Sequence, residues 1–166
     1  GGKPLISWII EAAIESGCFD EIYINSESFI FKEIADSYGV KFYHRPDQYA
    51  TDESTNDDFM MEFILNSGIE CDKVVQLLPT SPFVTYGMIR DFVKKSKETE
   101  TLISVKNIQI ECIYCDFTLK ALNFNPNMKT QASQTLQPIK AYACSLMAWD
   151  KGRFMRSYNN DSGAYH

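Results

Sequence analysis

Apolar residues recur along this chain in two alternating rhythms, one helical and one strand-like. Leu5, Ile6, Ile9, Ile10, Ala13 and Ile14 repeat at i, i+1, i+4, i+5, which makes one wide apolar helix face. Pro4 suits the first turn of that helix, and Gly17 is placed to end it. Glu21 to Asn25 reads as a short strand. A helix from about Ser28 to Tyr38 follows, with Ile30, Ile34 and Tyr38 inward and Gly39 as its stop. Val40 to Tyr43 is strand-like. After a polar loop, Phe59, Met60, Phe63 and Ile64 mark a third helix, and Asp57 and Asp58 sit in its first turn, where the helix dipole favours carboxylates. Lys73 to Leu78 is the central strand. Thr85 can cap a fourth helix with Met88, Ile89, Phe92 and Val93 on its apolar face, and Leu102 to Val105 is the next strand.

Residues 107–140 break this rhythm. They mix polar, aromatic and β-branched residues with Asn125-Pro126-Asn127 and a Gln/Thr/Ser-rich tract from Thr130 to Gln137. This stretch is expected to be an excursion from the sheet, with a hairpin as one form, rather than a second domain. Ala141 to Trp149 returns to a strand, Asp150 to Tyr158 reads as a short helix, and Asn159 to Gly163 as a loop. Strands separated by helices of this length predict an α/β fold: a three-layer, mostly parallel sheet with right-handed crossovers, in one domain over 1–166.

Composition narrows the classes. With 166 residues and 45% apolar content the chain can bury a proper core. No run approaches a membrane span, and no basic-plus-apolar leader is present, so no membrane partner is expected. A net charge of −6 argues against a nucleic-acid partner, whose phosphates call for a basic face. The five cysteines (18, 71, 112, 115 and 144) are an odd number, which suggests reduced thiols in a cytoplasm. Cys112-x-x-Cys115 has no second pair, and the histidines are only His44 and His166, so a structural zinc site is disfavoured. The acids of Asp52 to Asp58 could bind a metal, but capping of the following helix explains them more simply.

In open α/β sheets, ligands bind outside the carboxyl ends of the strands. Three segments occupy such ends: Asn25-Ser26, His44-Arg45-Pro46 and Pro79-Thr80-Ser81-Pro82. Arg45 offers five fixed donors for a phosphate or a base edge, or else an ion pair with Asp47 or Asp52. Thr80 and Ser81 either face a ligand or serve turn and cap chemistry.

These segments carry a resemblance. Gly2-Lys3-Pro4-Leu5, Cys18-Phe19-Asp20-Glu21-Ile22, Tyr38-Gly39-Val40, Arg45-Pro46 with Ala50-Thr51-Asp52, and Leu77-Leu78-Pro79-Thr80-Ser81-Pro82 stand in an order that resembles acylneuraminate cytidylyltransferases. The resemblance covers about residues 1–106. It implies a Rossmann-like, glycosyltransferase-A-like nucleotidyltransferase fold and a Mg²⁺-dependent reaction. In that reaction the anomeric hydroxyl of a nonulosonic acid attacks the α-phosphate of CTP, giving a CMP-sugar for lipopolysaccharide or capsule biosynthesis. It further implies nucleotide-binding roles for Arg45, Ser54 and Asn56, and a wall between nucleotide and sugar shaped by Thr80 and Ser81.

The sequence also departs from that family. Leu78 stands where a glutamine touching both substrates is usual, and Gln76, on the same strand face by period two, can take part of its role. Lys140, Tyr142 and Cys144 occupy the strand where an Arg or Asn meets the sugar acid, so Lys140 and Tyr142 are the substrate-side positions here. The family's glycine- or serine-containing triphosphate loop precedes the Gly-Lys-Pro segment, and its metal-binding aspartates come late. On that resemblance the chain is expected to be a central fragment, with no catalytic residue or metal ligand of its own and negligible transferase activity alone. The excursion at 107–140, with Ile108, Ile110, Ile113, Tyr114 and Phe117, is expected to reach a second subunit in a homodimer. Two other classes stay open: a related CMP-Kdo synthetase or other sugar-nucleotide transferase, and a non-catalytic α/β binding module.

Overall fold

Leu5–Ser16 forms the first helix, α1, and Gly17 ends it in left-handed backbone at φ 62°, donating its N–H to the Ile14 carbonyl. Only glycine adopts that conformation without cost. The computed structural model describes residues 2–115 and 117–161. They divide into two compact units, Gly1–Ile103 with Ser145–His166, and Ser104–Cys144.

In the first unit, α1 is followed by β1 (Tyr23–Ser26), α2 (Ile30–Tyr38), β2 (Lys41–His44), α3 (Asn56–Asn66), β3 (Lys73–Leu77) and α4 (Tyr86–Ser96). Strands β4 (Thr101–Ile108) and β7 (Ile139–Asp150) run through both units, and α5 (Lys151–Asn159) closes the first. The turn after α5 is described to Asp161; Ser162 and Gly163 of the expected terminal loop lie outside the described residues.

Strands β1 and β2 pair in parallel, Tyr23 with Lys41 through Ser26 with His44. A second sheet has the order β3-β7-β4. In it β7 runs antiparallel to β3, Lys73 opposite Asp150 and Leu77 opposite Leu146. The α/β class stands, and the strand expected over Ala141 to Trp149 returns as this antiparallel member.

Side-chain alternation places helices on both faces. Ile24 of β1 packs with Ile10 of α1 and Ala35 of α2, whereas Tyr23 on the opposite face meets Phe63 of α3 edge-on at 5.2 Å. In the other sheet Leu146 and Ala148 pack against Ile9 and Ala13 of α1 and Ile89 and Phe92 of α4. Trp149, of opposite parity, meets Phe154 of α5 at 5.3 Å. Fully burying a side chain such as Ile89 or Phe92 contributes about 1.5–3 kcal/mol.

Some expected inward positions are corrected. Ile30 is 71% exposed because α2 starts there and its buried face is centred on Ala35. Met88 is 52% exposed, one position off the Ile89–Phe92 stripe. Inside the α3 face, the buried Glu62 carboxylate accepts from Tyr43 Oη at 2.6 Å and Asn66 Nδ2 at 3.2 Å. Burial, and then Glu62, pushes the Tyr43 hydroxyl pKa well above its usual range.

The second unit holds the antiparallel hairpin of β5 (Ile113–Cys115) and β6 (Leu119–Ala121). Its organiser is Asn123, whose Oδ1 accepts from the Cys112 N–H at 2.8 Å while Nδ2 donates to the carbonyls of Ile110 and Gln137. All five cysteines are thiols rather than disulfides. Cys144, the last residue of this unit, has φ 52°, a conformation that few non-glycine residues adopt.

Candidate functional site

The first unit contains a cavity of about 970 Å³ with walls from α1, β1, α3 and β3. At one end lie Asn25, Arg45, Gln76, Leu78 and Pro79, the carboxyl ends of β1, β2 and β3. Of the three segments expected at strand ends, Asn25, Arg45 and Pro79 line this space, together with Gln76 and Leu78, whereas Thr80 and Ser81 are not among its lining residues.

Arg45 directly follows β2, and its N–H donates to the Ser26 carbonyl at 3.0 Å, extending the β1–β2 ladder. Its guanidinium is fixed twice. One terminal nitrogen donates to Glu27 Oε2 at 2.5 Å, and the guanidinium carbon stands 4.8 Å from the centre of the Phe59 ring. The ion pair is with Glu27, not with Asp47 or Asp52, because the β1–β2 ladder sets Glu27 beside Arg45. The backbone N–H of Glu27 and, after it, the arginine hold the Glu27 carboxyl below the usual carboxylate range. Arg45 Nε and Asn25 Oδ1 are buried and have no hydrogen-bond partner among the described residues. An orphaned buried donor costs about 1–3 kcal/mol.

Asn56 opens α3, and its amide meets that of Gln76 on β3. Asn56 Nδ2 donates to Gln76 Oε1 at 3.0 Å, and Gln76 Nε2 donates back to Asn56 Oδ1 at 2.6 Å. A residue expected on the nucleotide side and one expected on the sugar side are thus a single paired group. Thr55 caps α3 by accepting from the Asp58 N–H, and the Asp58 carboxylate accepts from the Thr55 N–H in return. The Thr55 contacts, then Tyr158, hold the Asp58 carboxyl below its ordinary range.

Ser54 donates its hydroxyl to the Gln48 carbonyl at 3.0 Å and lies 3.2 Å from Thr51 Oγ1, so it braces the loop before α3. At the end of β3, the Leu78 N–H donates to the Ser145 carbonyl at 3.2 Å, and the Ser81 N–H closes a turn onto Leu78 at 3.1 Å. Ser81 Oγ lies 2.8 Å from Ser145 Oγ, which fastens the lip to β7, and Thr80 is exposed on that lip. Lys140 and Tyr142 belong to the second unit, where Lys140 Nζ donates to Asn107 Oδ1 at 2.8 Å and Tyr142 is 56% exposed.

Sequence reasoning names Asn25 as a strand end and misses two other residues around Arg45, Glu27 and Phe59. Phe59 reads as an ordinary core position of α3, and Glu27 as a loop acid. A strand-end arginine needs a carboxylate or an aromatic face nearby, and that requirement was the available signal. No group of three or more His, Cys, Asp or Glu side chains that could hold a metal occurs among the described residues. The acids at the start of α3 do not fit Mg²⁺, since Asp58 is committed to Thr55 and Tyr158.

A family model described as cytidylyltransferase matches residues 1–145. The chain belongs to the cytidylyltransferase family. It is 36% identical over 92 residues to the N-acylneuraminate cytidylyltransferase of Escherichia coli O18:K1:H7, covering 55% of this chain and 22% of that protein. It is 34% identical over 120 residues to the CMP-N,N'-diacetyllegionaminic acid synthase of Legionella pneumophila, covering 69% of this chain and 51% of that protein. The chain thus spans about half or less of these curated relatives. Among solved structures, the 4-diphosphocytidyl-2C-methyl-D-erythritol synthase of Anaerococcus prevotii superposes with a TM-score of 0.72 at 13% identity, covering 100% of this chain and 68% of that one. A CMP:2-keto-3-deoxy-manno-octonic acid synthetase complexed with CTP gives 0.66 at 14%, covering 96% and 68%. These two likenesses show the nucleotidyltransferase fold of this cytidylyltransferase chain.

Proposed function

We propose that the protein transfers the cytidylyl group of CTP to a nonulosonic acid such as a sialic or legionaminic acid. The sugar's anomeric oxygen would bond to the α-phosphorus, the bond from that phosphorus to the bridging oxygen would break, and pyrophosphate would leave. The observation that carries this reading is the Arg45 guanidinium, held between Glu27 and the Phe59 ring, with one buried donor unsatisfied at the wall of a cavity. A fixed, always-charged fork beside an aromatic face suits a base edge or a phosphate. The relatives' names favour a nonulosonic acid as acceptor.

The residues assigned here do positioning work, which is the larger share of phosphoryl-transfer catalysis. Arg45 binds the nucleotide. The Asn56–Gln76 pair orients it from the α3 side, with Ser54 bracing the loop. Leu78, Thr80 and Ser81 form the lip. Mg²⁺, when bound, would neutralise charge growing on the phosphates.

The setting proposed is cytoplasmic and homodimeric. No helix among the described residues is long and apolar enough to cross a membrane. Ile110, Ile113, Tyr114, Phe117 and Leu119 of the second unit are all more than half exposed, the makings of a surface that a second subunit covers.

The test is pyrophosphate release by the full-length gene product from CTP with sialic acid, legionaminic acid and Kdo in turn. Release with a nonulosonic acid and not with Kdo is the expected result. In parallel, residues 1–166 should show a thermal shift with CTP that exceeds the one with UTP. Equal shifts, or none, would remove the pyrimidine from the site.

A further inference from the structure

The lip that follows β3 is held at two points by one residue of β7. The β3–β7 register sets Leu77 opposite Leu146, and one step further the Leu78 N–H donates to the Ser145 carbonyl at 3.2 Å. Pro79 comes next and has no N–H to give, so β3 stops donating there. The chain then folds back. The Ser81 N–H donates to the Leu78 carbonyl at 3.1 Å, and Ser81 Oγ comes to 2.8 Å from Ser145 Oγ. Val84, whose N–H donates to the Ser81 carbonyl at 3.2 Å, is buried and returns the chain to the core. Ser145 thus meets the base of the lip with its carbonyl and the turn of the lip with its hydroxyl.

Immediately before Ser145 stands Cys144, inside β7 yet with φ 52°. In left-handed backbone the Cβ crowds the following carbonyl, so a non-glycine residue stays there only where its surroundings hold it. A left-handed residue within a strand is the device by which bulges bend a chain and re-aim the side chain beside it. Here the residue beside it is the one that holds the lip.

The nucleotide side is fastened by other elements. Arg45 is clamped by Glu27, after β1, and by Phe59 of α3. Thr80 and Ser81 do not line the cavity that Arg45 lines, which leaves the hydroxyl face of the lip to the second substrate. A loosened lip therefore leaves the arginine clamp standing.

We propose that Ser145 is a positioning residue for the acceptor, acting through the Leu78–Ser81 lip, and that the left-handed backbone at Cys144 aims it. The acceptor role rests on the cytidylyl-transfer reading above; the hold on the lip does not.

The experiment uses the full-length gene product and reads two quantities. Pyrophosphate release gives KM for the acceptor and for CTP, and amide hydrogen exchange without ligands reports on Leu78 and Ser81. Ser145→Ala and Ser81→Ala should each raise the acceptor KM about fivefold, the worth of one hydrogen bond, while the KM for CTP stays within about twofold of the parent. The double variant should be no worse than either single one, because both remove the same bond. Cys144→Val should speed exchange at Leu78 and Ser81 about fivefold or more, since β-branched residues fit positive φ worst. Cys144→Gly should exchange there as slowly as the parent, because glycine takes that backbone freely. Parental KM values in Ser145→Ala, or both KM values rising together, overturn the acceptor role. A glycine variant that exchanges as fast as the valine one overturns the role of the backbone. If the valine variant does not fold, the two alanine variants and the glycine variant decide the matter. A parent that releases no pyrophosphate with any acceptor would instead sink the cytidylyl-transfer reading, and exchange at Leu78 and Ser81 in Ser145→Ala would still uphold or remove the hold on the lip.

Discussion

Asn56 and Gln76 lie 20 positions apart in sequence, yet their amides face each other head to tail and each donates to the other. The pair joins the first residue of α3 to the fourth of β3, and of the two only Gln76 lines the cavity. Gln76→Ala removes both of these bonds, and thermal melting should show a loss of about 2 kcal/mol, since a typical hydrogen bond contributes about 1 kcal/mol. The same variant should bind CTP about tenfold more weakly by calorimetry, because the Asn56 amide then loses its Gln76 partner. Full affinity together with lost stability would restrict the pair to a packing role.

Arg45→Lys tests whether the guanidinium matters or only its charge. Lysine keeps the cation but loses the planar fork and its seat beside the Phe59 ring. We expect Arg45→Lys to bind CTP nearly as poorly as Arg45→Ala, each at least about tenfold below the parent. Glu27→Gln should fall between the parent and these two variants, since it leaves the guanidinium in place without its charged partner. A lysine variant with parental affinity would contradict the role given to Arg45.

The capping box at the start of α3 makes a pH-dependent contribution to stability. The Asp58 carboxyl is held below its ordinary value of 3.8. Its stabilisation is therefore fully present above that value and is lost as pH falls through the lower folded value. The melting temperature of Asp58→Asn should lie below that of the parent at about pH 6, and the gap should narrow below about pH 4. Thr55→Ala, which removes the cap itself, should cost about 1 kcal/mol. A gap that widens on acidification would refute the assignment.

Phe117 is fully exposed in the second unit and sits among other exposed apolar side chains. If a second subunit covers that surface, Phe117→Glu should shift the sedimentation of a dimer toward monomer at micromolar concentration while leaving the melting of the first unit unchanged. A parent protein that sediments only as a monomer would remove the premise.

Much of the architecture is legible in the chain because its signals are local. Gly17 and Gly39 end helices, Thr85 accepts from the Met88 N–H as a cap, and the apolar stripes of α1 and α4 set their buried faces. Orientation of β7 is not local. Nothing within Ala141 to Trp149 tells a parallel strand from an antiparallel one, since pairing with β3 is decided by residues 70 positions away. At the site, Arg45 could be read from its strand end. Its partners could not, because Glu27 and Phe59 lie on different elements and meet it only once β1, β2 and α3 are assembled. The Asn56–Gln76 pairing was hidden for the same reason: each residue suggested a separate substrate, and tertiary packing made them one group.

The clamp on Arg45 has a kinetic corollary. A long side chain normally surrenders rotamer freedom when it captures a ligand, but this one is already immobilised by Glu27 and the Phe59 ring before anything arrives. Little ordering is then left for the encounter, so its effect belongs chiefly to how long a captured molecule stays. Loosening the clamp should shorten residence time far more than it slows arrival.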